Sequence, residues 1–327
     1  MNQLIAIFSR QLKEACEIGE KAKLSDTNNL ISNVLISGLG GSGIGGSIVA
    51  QLVEKEATVP VSINKKYSLP HFVNENTLVI ISSYSGNTEE TISCLNEAIK
   101  KKAKIICITS GGKIEEIARA NQLDFIIIPG GMPPRACLAY SLTQLFFILS
   151  HFKIITESFR EKLKSSVDLI DKEEGRIVEE ARNIAKKLLN KIPVIYSAAT
   201  SEAICVRFRQ QLNENAKVLC WHHVFPEMNH NELVGWKEKN DNLAVIIFRN
   251  ESDYPRTKTR IEISKAIFKQ CTSTVIELFS KGNSNIENAI YLIHFGDWIS
   301  FFLAELKGVD AMEVDVIVHL KSELAKT

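Results

Sequence analysis

The chain has 327 residues, of which 45 % are hydrophobic and 24 % are charged, a composition typical of a globular protein with one large domain or two ordinary ones. Its formal net charge of +1 creates no overall field that would attract nucleic acid or an anionic membrane. No uncharged apolar run reaches the length of about 18 residues that a membrane span needs. The cysteines number seven, which is odd, and contain no CxxC pair, so we expect reduced thiols and a cytoplasmic protein.

Short apolar segments alternate with helical segments along the first half of the chain. The predicted strands are Asn33–Leu39, Val59–Ile63, Thr77–Ser82, Lys104–Thr109 and Phe125–Ile128. The predicted helices between them are Gly43–Lys55, Glu89–Lys101 and Ile114–Asn121. Strands that are β-branched and apolar on both faces are typical of a buried parallel sheet, so this alternation indicates an open sheet covered by helices on both sides.

The pattern becomes helical in the middle of the chain and then returns to alternation. Leu138–Phe152 is almost entirely apolar and predicts a buried helix, whereas the charged segment Thr156–Leu189 predicts two helices. The predicted strands that follow are Pro193–Ala198, Ala216–Cys220, Leu243–Phe248 and Ser273–Phe279, and the predicted helices are Ser201–Gln211, Asp253–Gln270, Ile286–Leu306 and Asp315–Leu324. The sequence therefore predicts an α/β fold of two domains of similar size, each with a short parallel sheet.

A glycine-rich segment, Ser37–Gly46 (SGLGGSGIGG), follows the first predicted strand and opens a helix. Glycines let the backbone approach an anion closely, and a helix N-terminus directs free N–H groups toward it. The segment also matches the dinucleotide fingerprint GxGxxG through Gly38, Gly40 and Gly43. A dinucleotide fold would place an acidic residue at the end of the next strand, and Ile63–Lys66 contains none, which disfavours that alternative.

A second polar segment, Ser82–Thr91 (SSYSGNTEET), also lies between an apolar strand and a helix. Ser83, Ser85 and Thr88 bring three hydroxyls together, and Gly86 permits a tight turn. Taken alone, the segment is equally typical of a serine-rich turn with a helix cap. Ligands bind at the carboxyl edge of open parallel sheets, however, so two such loops together indicate a phosphate monoester held by hydroxyl and N–H donors.

Together, GGSGIGG and SSYSGNTEET resemble the sugar isomerase (SIS) domain, whose serine–glycine–threonine loop binds sugar phosphates. The resemblance implies a phosphorylated sugar as the ligand. It also implies that the phosphate-binding positions of this chain are Gly41, Ser42, Ser83, Ser85 and Thr88.

Arg135 is the first candidate for a role in catalysis. In GGMPPRACLAY (Gly130–Tyr140), Pro133 and Pro134 stiffen the chain before this arginine. A guanidinium fixed there can balance the negative charge of an enediolate, and a surface arginine at a helix start is the plain alternative.

The segment Gln211–Trp236 crowds asparagine, glutamate and histidine side chains among large apolar ones, which predicts a partly buried polar loop. Apolar surroundings raise the pKa of a carboxylate toward the range that a general base needs. His230 carries an imidazole, which can protonate a ring oxygen. The spacing of His222, His223 and Glu227 fits no common zinc pattern, so we expect no metal.

The ordered motifs GGSGIGG, SYSGNTEET, PPRA, NENAK, FPEMNHNE and a C-terminal LK resemble the bifunctional phosphoglucose/phosphomannose isomerases of the SIS superfamily over almost the whole chain. The resemblance implies an N-terminal SIS domain over residues 1–153 and a C-terminal one over 154–327. It implies that Glu214 is the base that shuttles a proton between C1 and C2. It further implies that His230 opens the sugar ring, reaching into a partner subunit's site, that Lys321 assists ring opening, and that Arg135 stabilises the enediolate.

The activity implied is the interconversion of glucose 6-phosphate and mannose 6-phosphate with fructose 6-phosphate by a homodimer. No metal or organic cofactor is expected, because the substrate's own carbonyl acidifies the proton that moves. The family often carries a proline–threonine pair, associated with handling both C2 epimers, after a GVD-type sequence. Here Ala311–Met312 follow Gly308–Asp310, so the implied mannose activity lacks one of its usual features.

Two alternatives to this activity remain at the level of sequence. One is a non-catalytic regulator that binds sugar phosphates through SIS domains, although such regulators usually carry a further domain for which we expect no room here. The other is an isomerase or amino-sugar enzyme acting on a different phosphosugar. Glucosamine-6-phosphate synthases also need an N-terminal glutaminase, and we expect no such domain to begin at Met1–Asn2.

Overall fold

The computed structural model describes residues 1–324 and 326, and these form two compact units. The first unit comprises Ala6–Asp171 with Asn283–Glu287. The second comprises Met1–Ile5, Lys172–Gly282 and the chain from Asn288 onward. Each unit contains one parallel sheet flanked by helices, which confirms the predicted α/β fold class.

The helices and strands are numbered here in chain order. The helices are α1 (Asn2–Ala6), α2 (Phe8–Lys21), α3 (Gly40–Val53), α4 (Glu89–Lys100), α5 (Gly112–Ala120), α6 (Leu138–His151), α7 (Phe159–Leu188), α8 (Glu202–Glu214), α9 (Pro255–Cys271), α10 (Asn285–Lys307) and α11 (Asp315–Leu324). The strands are β1 (Asn33–Ser37), β2 (Val61–Asn64), β3 (Thr77–Ser82), β4 (Lys104–Thr109), β5 (Asp124–Ile127), β6 (Ile192–Ala198), β7 (Trp221–Phe225), β8 (Leu243–Arg249) and β9 (Val275–Phe279).

The sheet of the first unit has the strand order β2-β1-β3-β4-β5, and all its pairings are parallel. The order reverses direction between β1 and β3, because β2 lies on one side of β1 and the later strands lie on the other. Such a reversal separates the two loops that leave the neighbouring strands and opens a crevice between them. The two predicted phosphate loops are the loops that leave β1 and β3.

Helix α6 forms part of the core of the first unit, as its apolar sequence predicts. Every residue from Leu138 to Leu149 is buried. A close approach to α2 explains much of this burial, because a Cβ on Gly19 would lie 2.3 Å from the Phe147 ring. The Gln144 amide also donates to the Ala15 carbonyl at 2.7 Å, so the one long polar side chain buried in this helix is hydrogen-bonded.

The sheet of the second unit has the order β7-β6-β8-β9, again wholly parallel, and different helices cover its two faces. Tyr196 and Phe225 point to one face, where they pack with Phe268 of α9. Because side chains alternate along a strand, Phe248 points to the other face. There its ring lies 5.6 Å from that of Phe208 in α8.

A buried polar ladder joins α8 to α10 within the second unit. Arg207, which is 2 % exposed, donates to both carboxylate oxygens of Asp297, at 3.1 and 2.9 Å. Gln211 donates to the same carboxylate at 2.8 Å, and Asn215 donates to the Ser300 hydroxyl at 3.0 Å. The ladder runs along the last two turns of α8, so it fixes the end of that helix against α10.

Two predicted elements differ from those observed. Thr156–Leu189 contains one helix, α7, and not two, because no proline interrupts it and Gly175 faces open space. Ala216–Cys220 is not a strand. Helix α8 continues to Glu214, and Lys217 then adopts a left-handed conformation with φ of +54°, which postpones the strand to Trp221.

Most other elements match their predictions to within three residues, and β3, β4 and α11 match at both ends. One described helix, α10, has the length and apolar composition of a membrane span. However, 89 % of its apolar window is buried inside the protein, as in the core helix of a globular fold.

The Arg207–Asp297 pair yields a test of this packing. Replacing Asp297 with alanine leaves a buried guanidinium without its carboxylate, so we expect the free energy of unfolding to fall by about 3–5 kcal/mol. Urea denaturation followed by circular dichroism measures the change. The double variant Arg207→Met/Asp297→Leu removes both charges and should recover most of the loss. Equal losses in the single and double variants would contradict a role for the charge pair itself.

Candidate functional site

The crevice between β1 and β3 collects helix N-termini and small polar side chains. Helix α3 begins at Gly40 and α4 at Glu89, directly after the loops that leave these two strands. The strands are hydrogen-bonded neighbours, with Ser37 paired to Ile81 near their carboxyl ends. Two helix N-termini therefore point their free N–H groups and positive dipole ends toward the same edge of the sheet, an arrangement that favours an anion.

The predicted phosphate-binding hydroxyls of the two loops lie close together. The Ser42 hydroxyl, in the first turn of α3, accepts a hydrogen bond from the Tyr84 backbone N–H at 3.0 Å. The Ser83 hydroxyl lies 3.1 Å from that of Thr88. Ser42 and Ser83 are buried, and Thr88 is half-buried. Because the Ser42 oxygen acts as an acceptor here, its own proton remains available for a phosphate oxygen.

The remainder of the second loop is held by a close backbone contact. Gly86 has φ of +67°, and a Cβ on it would lie 1.8 Å from the carbonyl oxygen of Gly111. Only glycine fits there, in agreement with the tight turn that the sequence predicts at this position. Ser85 is exposed at the tip of the loop, where its hydroxyl accepts from the Asn87 N–H at 3.3 Å.

Arg135 is buried beside the first loop. It is 4 % exposed and lies in a short 3-10 helix, Pro134–Ala136. A Cβ on Gly41 would lie 2.9 Å from the Pro134 carbonyl oxygen, so the absence of a side chain at Gly41 allows this close approach. The first unit therefore gathers all five predicted phosphate-binding positions and Arg135 around one end of its sheet.

Tyr84 organises this region, although no sequence motif marks it as functional. Besides its bond to Ser42, its backbone carbonyl accepts from Ser110, at 2.9 Å from the N–H and 2.6 Å from the hydroxyl. Its phenolic oxygen accepts from the Met132 N–H at 3.1 Å, which fastens the segment that leads to Arg135. Burial raises the pKa of Tyr84, and the neighbouring Cys137 raises it further.

The end of β2 bears on the dinucleotide alternative. The position where a dinucleotide fold would carry an acid holds Asn64, which is buried and donates to the Cys94 sulfur at 3.1 Å. The next residue is Lys65, whose Cε lies 3.8 Å from a Cβ built on Gly43. A cation next to the glycine-rich loop favours a phosphate ligand. It disfavours the dinucleotide alternative, in which an acidic residue would bind a ribose.

The second unit brings together Glu214 and the segment that leads to Lys321. Glu214 is the last residue of α8 and is half-buried. The Lys217 ammonium, three residues later, donates to backbone carbonyls of Asp310 and Glu313, just before α11. Lys321 lies on α11 and is exposed.

His230 lies apart from Glu214 in the second unit. It ends a short 3-10 helix, Glu227–His230, and is exposed. Met228, in the same turn, is buried in the cluster on the α9 face of the sheet. Helix α8 covers the opposite face, so Glu214 and His230 belong to elements that pack on different faces of the sheet.

Part of the segment Gln211–Trp236 forms regular secondary structure, although its sequence predicts a loop. Gln211–Glu214 form the last turn of α8, and His222 and His223 belong to β7. Burial lowers the pKa of His222, and the nearby Arg209 lowers it further. Across residues 1–324 and 326, no three His, Cys, Asp or Glu side chains are grouped so that they could hold a metal ion.

Two protein-family models match most of the chain. Residues 31–149 match the model of the SIS domain. Residues 177–324 match the model of the bacterial phospho-glucose isomerase C-terminal SIS domain. The two matches fall on the two sheets described above.

Curated relatives match over most of their length. A bifunctional phosphoglucose/phosphomannose isomerase from Caldicellulosiruptor bescii is 39 % identical over 97 % of this chain and 96 % of its own. One of the same name from Aquifex aeolicus is 37 % identical over 82 % of both chains. Among solved structures, the C-terminal domain of glucosamine-fructose-6-phosphate aminotransferase from Francisella tularensis has a TM-score of 0.76, covering 96 % of this chain and 98 % of its own. At 16 % identity, that likeness concerns the fold alone.

The hydroxyl of Tyr84 provides a test of how the first unit is organised. Tyr84→Phe removes the acceptor of the Met132 N–H, so hydrogen exchange at Met132 should accelerate by a factor of about 3 to 10, the equivalent of one net hydrogen bond. Exchange mass spectrometry of peptides covering Gly130–Arg135 measures the effect. Tyr254→Phe, at a 73 % exposed position, is the control and should change nothing there. Unchanged exchange in Tyr84→Phe would show that the phenol does not hold this segment.

Proposed function

This chain belongs to the family of bifunctional phosphoglucose/phosphomannose isomerases, and we propose that it interconverts glucose 6-phosphate, and also mannose 6-phosphate, with fructose 6-phosphate. The observation that carries the proposal is the 39 % identity to a curated relative of that name over 97 % of the chain. The hydroxyls and helix N-termini beside β1 and β3 supply what a phosphate monoester needs, namely neutral donors and two positive dipole ends.

The proposed mechanism assigns one role to each predicted residue. The phosphate is held by Gly41, Ser42, Ser83, Ser85 and Thr88. His230 and Lys321 open the ring by moving protons at the ring oxygen and at the hydroxyl of the anomeric carbon. Glu214 then removes the proton from C2 of the aldose and returns it to C1 through an enediol. Arg135 stabilises the negative charge that develops on the enediol oxygens.

We also propose that the chain divides into two SIS domains, which the presence of two separate sheets supports. We place the phosphate loops in an N-terminal domain, residues 1–153, and the acid–base residues in a C-terminal domain, residues 154–327. Rotation about the C2–C3 bond of the enediol allows the same carboxylate to serve mannose 6-phosphate.

The seven free cysteines support a cytoplasmic location for the enzyme, because free thiols persist in reducing compartments.

The alternative is a regulator that binds sugar phosphates and has no activity. A coupled assay that starts from fructose 6-phosphate and measures glucose 6-phosphate and mannose 6-phosphate separately distinguishes the two. Formation of either product supports the isomerase, and the ratio of the products gives the epimer preference. Binding of fructose 6-phosphate without any product would favour the regulator.

Glu214 gives the sharpest test of the mechanism. Glu214→Gln keeps the shape of the side chain and removes the base, so kcat should fall by at least about 100-fold, as expected for loss of general acid–base catalysis. The dissociation constant for fructose 6-phosphate, measured by calorimetry, should stay within about threefold because the phosphate contacts are unchanged. Glu202→Gln, at the opposite end of the same helix, is the matched control and should keep near-normal turnover. Full turnover by Glu214→Gln would refute the assignment.

We also propose that the enzyme is a homodimer in which His230 serves the partner's site. This proposal is supported by the opposite faces on which α8 and the His230 turn lie within the second unit. A histidine on the face opposite to the helix of Glu214 can act on a substrate bound to a second copy. Symmetric dimers build such shared sites in pairs.

Mixing two inactive variants tests this arrangement. Glu214→Gln and His230→Ala are each expected to be inactive as homodimers. A heterodimer of the two would contain one doubly mutated site and one intact site, so random reassociation should restore about a quarter of the wild-type activity in a symmetric dimer. Co-refolding at equal ratio followed by the coupled assay measures the recovery. Absence of recovery, with heterodimers demonstrated by mass spectrometry, would show that Glu214 and His230 act within one chain.

A further inference from the structure

Lys217, the last residue of NENAK, makes an unusual set of contacts in the second unit. Its ammonium donates to the backbone carbonyl oxygens of Glu214 at 2.6 Å, Asp310 at 2.9 Å and Glu313 at 2.7 Å. A lysine ammonium has three protons, so these carbonyls match its full donor capacity. The Glu313 carboxylate lies 3.8 Å away and adds an ion pair.

These contacts join two segments that are distant in sequence. Glu214 ends α8, whereas Asp310 and Glu313 lie in the connection between α10 and α11. The backbone of Lys217 takes part as well, because its carbonyl accepts from the Lys307 ammonium at 3.1 Å near the end of α10. Lys217 also adopts a left-handed φ of +54°, which costs a residue with a Cβ about 1 kcal/mol or more and persists only where surrounding contacts enforce it.

Helix α11 depends on this attachment more than the other helices do. None of its ten residues, all of which are described, is buried. It therefore lacks the apolar packing that fixes most helices in place. The connection that precedes it is fastened by Lys217 and by burial of Ala311, which is 7 % exposed.

We propose that Lys217 is a positioning residue: its ammonium fastens the Asp310–Glu313 connection, and with it the helix that carries Lys321, to the end of α8 that carries Glu214. This inference rests on the proposed function, because it gives Lys217 its effect through Lys321. The distance between a base and a second proton donor limits catalysis steeply, since a shift of about 1 Å can cost about 100-fold in rate.

Hydrogen exchange tests the structural part without any assay of activity. In Lys217→Met, which keeps the apolar stem and removes the ammonium, amides of residues 309–320 should exchange at least about 10-fold faster, as expected when charge-assisted hydrogen bonds are lost. Amides of β6 and β8 should be unchanged. Lys307→Met removes a neighbouring ammonium but leaves the three carbonyl contacts intact, and it should have little effect. Glu313→Gln should also have little effect, because the contact is made to the backbone carbonyl.

A double-mutant cycle with Lys321 tests the catalytic part. Lys217→Met should lower kcat by about 10- to 100-fold, with the KM for fructose 6-phosphate within about twofold of the wild type. In the Lys321→Met background the same substitution should lower kcat by less than about twofold, because its effect passes through Lys321. If the two kcat effects multiply in the double variant, Lys217 acts independently of Lys321, and the proposal is overturned.

The outcomes separate this inference from the proposed function. A wild-type protein without isomerase activity would refute the function, while the exchange experiment would still decide whether Lys217 holds the connection. Unchanged exchange at residues 309–320 in an active enzyme would refute the inference alone. If Lys217→Met does not fold, Lys217→Gln, which is neutral but retains an amide donor, replaces it in both experiments.

Discussion

The parallel pairing of every strand constrains both units more than any single contact. A parallel neighbour can be reached only by a crossover that returns the chain to the opposite edge, so the loops and helix N-termini that follow the strands accumulate at the carboxyl edge. In the first unit, the order β2-β1-β3 separates the loops after β1 and β3. Ser42 and Ser83, 41 positions apart in sequence, therefore flank one crevice, and their proximity is a property of the topology.

Parallel pairing also separates Glu214 from His230 in the second unit. Helix α8 leaves the carboxyl end of β6 and runs back along one face of the sheet, so Glu214 lies at its far end. The chain then continues through β7. The turn that contains His230 packs against the other face of the sheet, where Met228 is buried with α9. If both residues act on one sugar, their placement on opposite faces of the sheet favours a histidine supplied by a second copy of the chain. This placement supports the proposed dimer.

Local sequence patterns predicted the buried strands well and the polar segments less well. Thr77–Ser82 and Lys104–Thr109 have uninterrupted apolar interiors and are bounded by turns, so both ends of β3 and β4 were predictable. Strand β7 was misplaced because His222 and His223 interrupt the apolar pattern that marks a strand. Tyr84 was missed for a different reason: its partners, Ser42, Ser110 and Met132, come from three separate segments of the chain. Tertiary hydrogen bonds of this kind leave no local signal.

The proposed mechanism requires both its base and its ring-opening lysine at defined positions, and the second unit holds the two by different interactions. A base that returns a proton to a neighbouring carbon must stay fixed while the substrate changes. Glu214 ends a helix whose last two turns are anchored by Arg207, Gln211 and Asn215, all buried and hydrogen-bonded to α10. Ring opening also needs its lysine at a defined distance from the sugar. Helix α11, which carries Lys321, has no buried residue, so the contacts of Lys217 to the connection before it take the place of the burial that anchors α8.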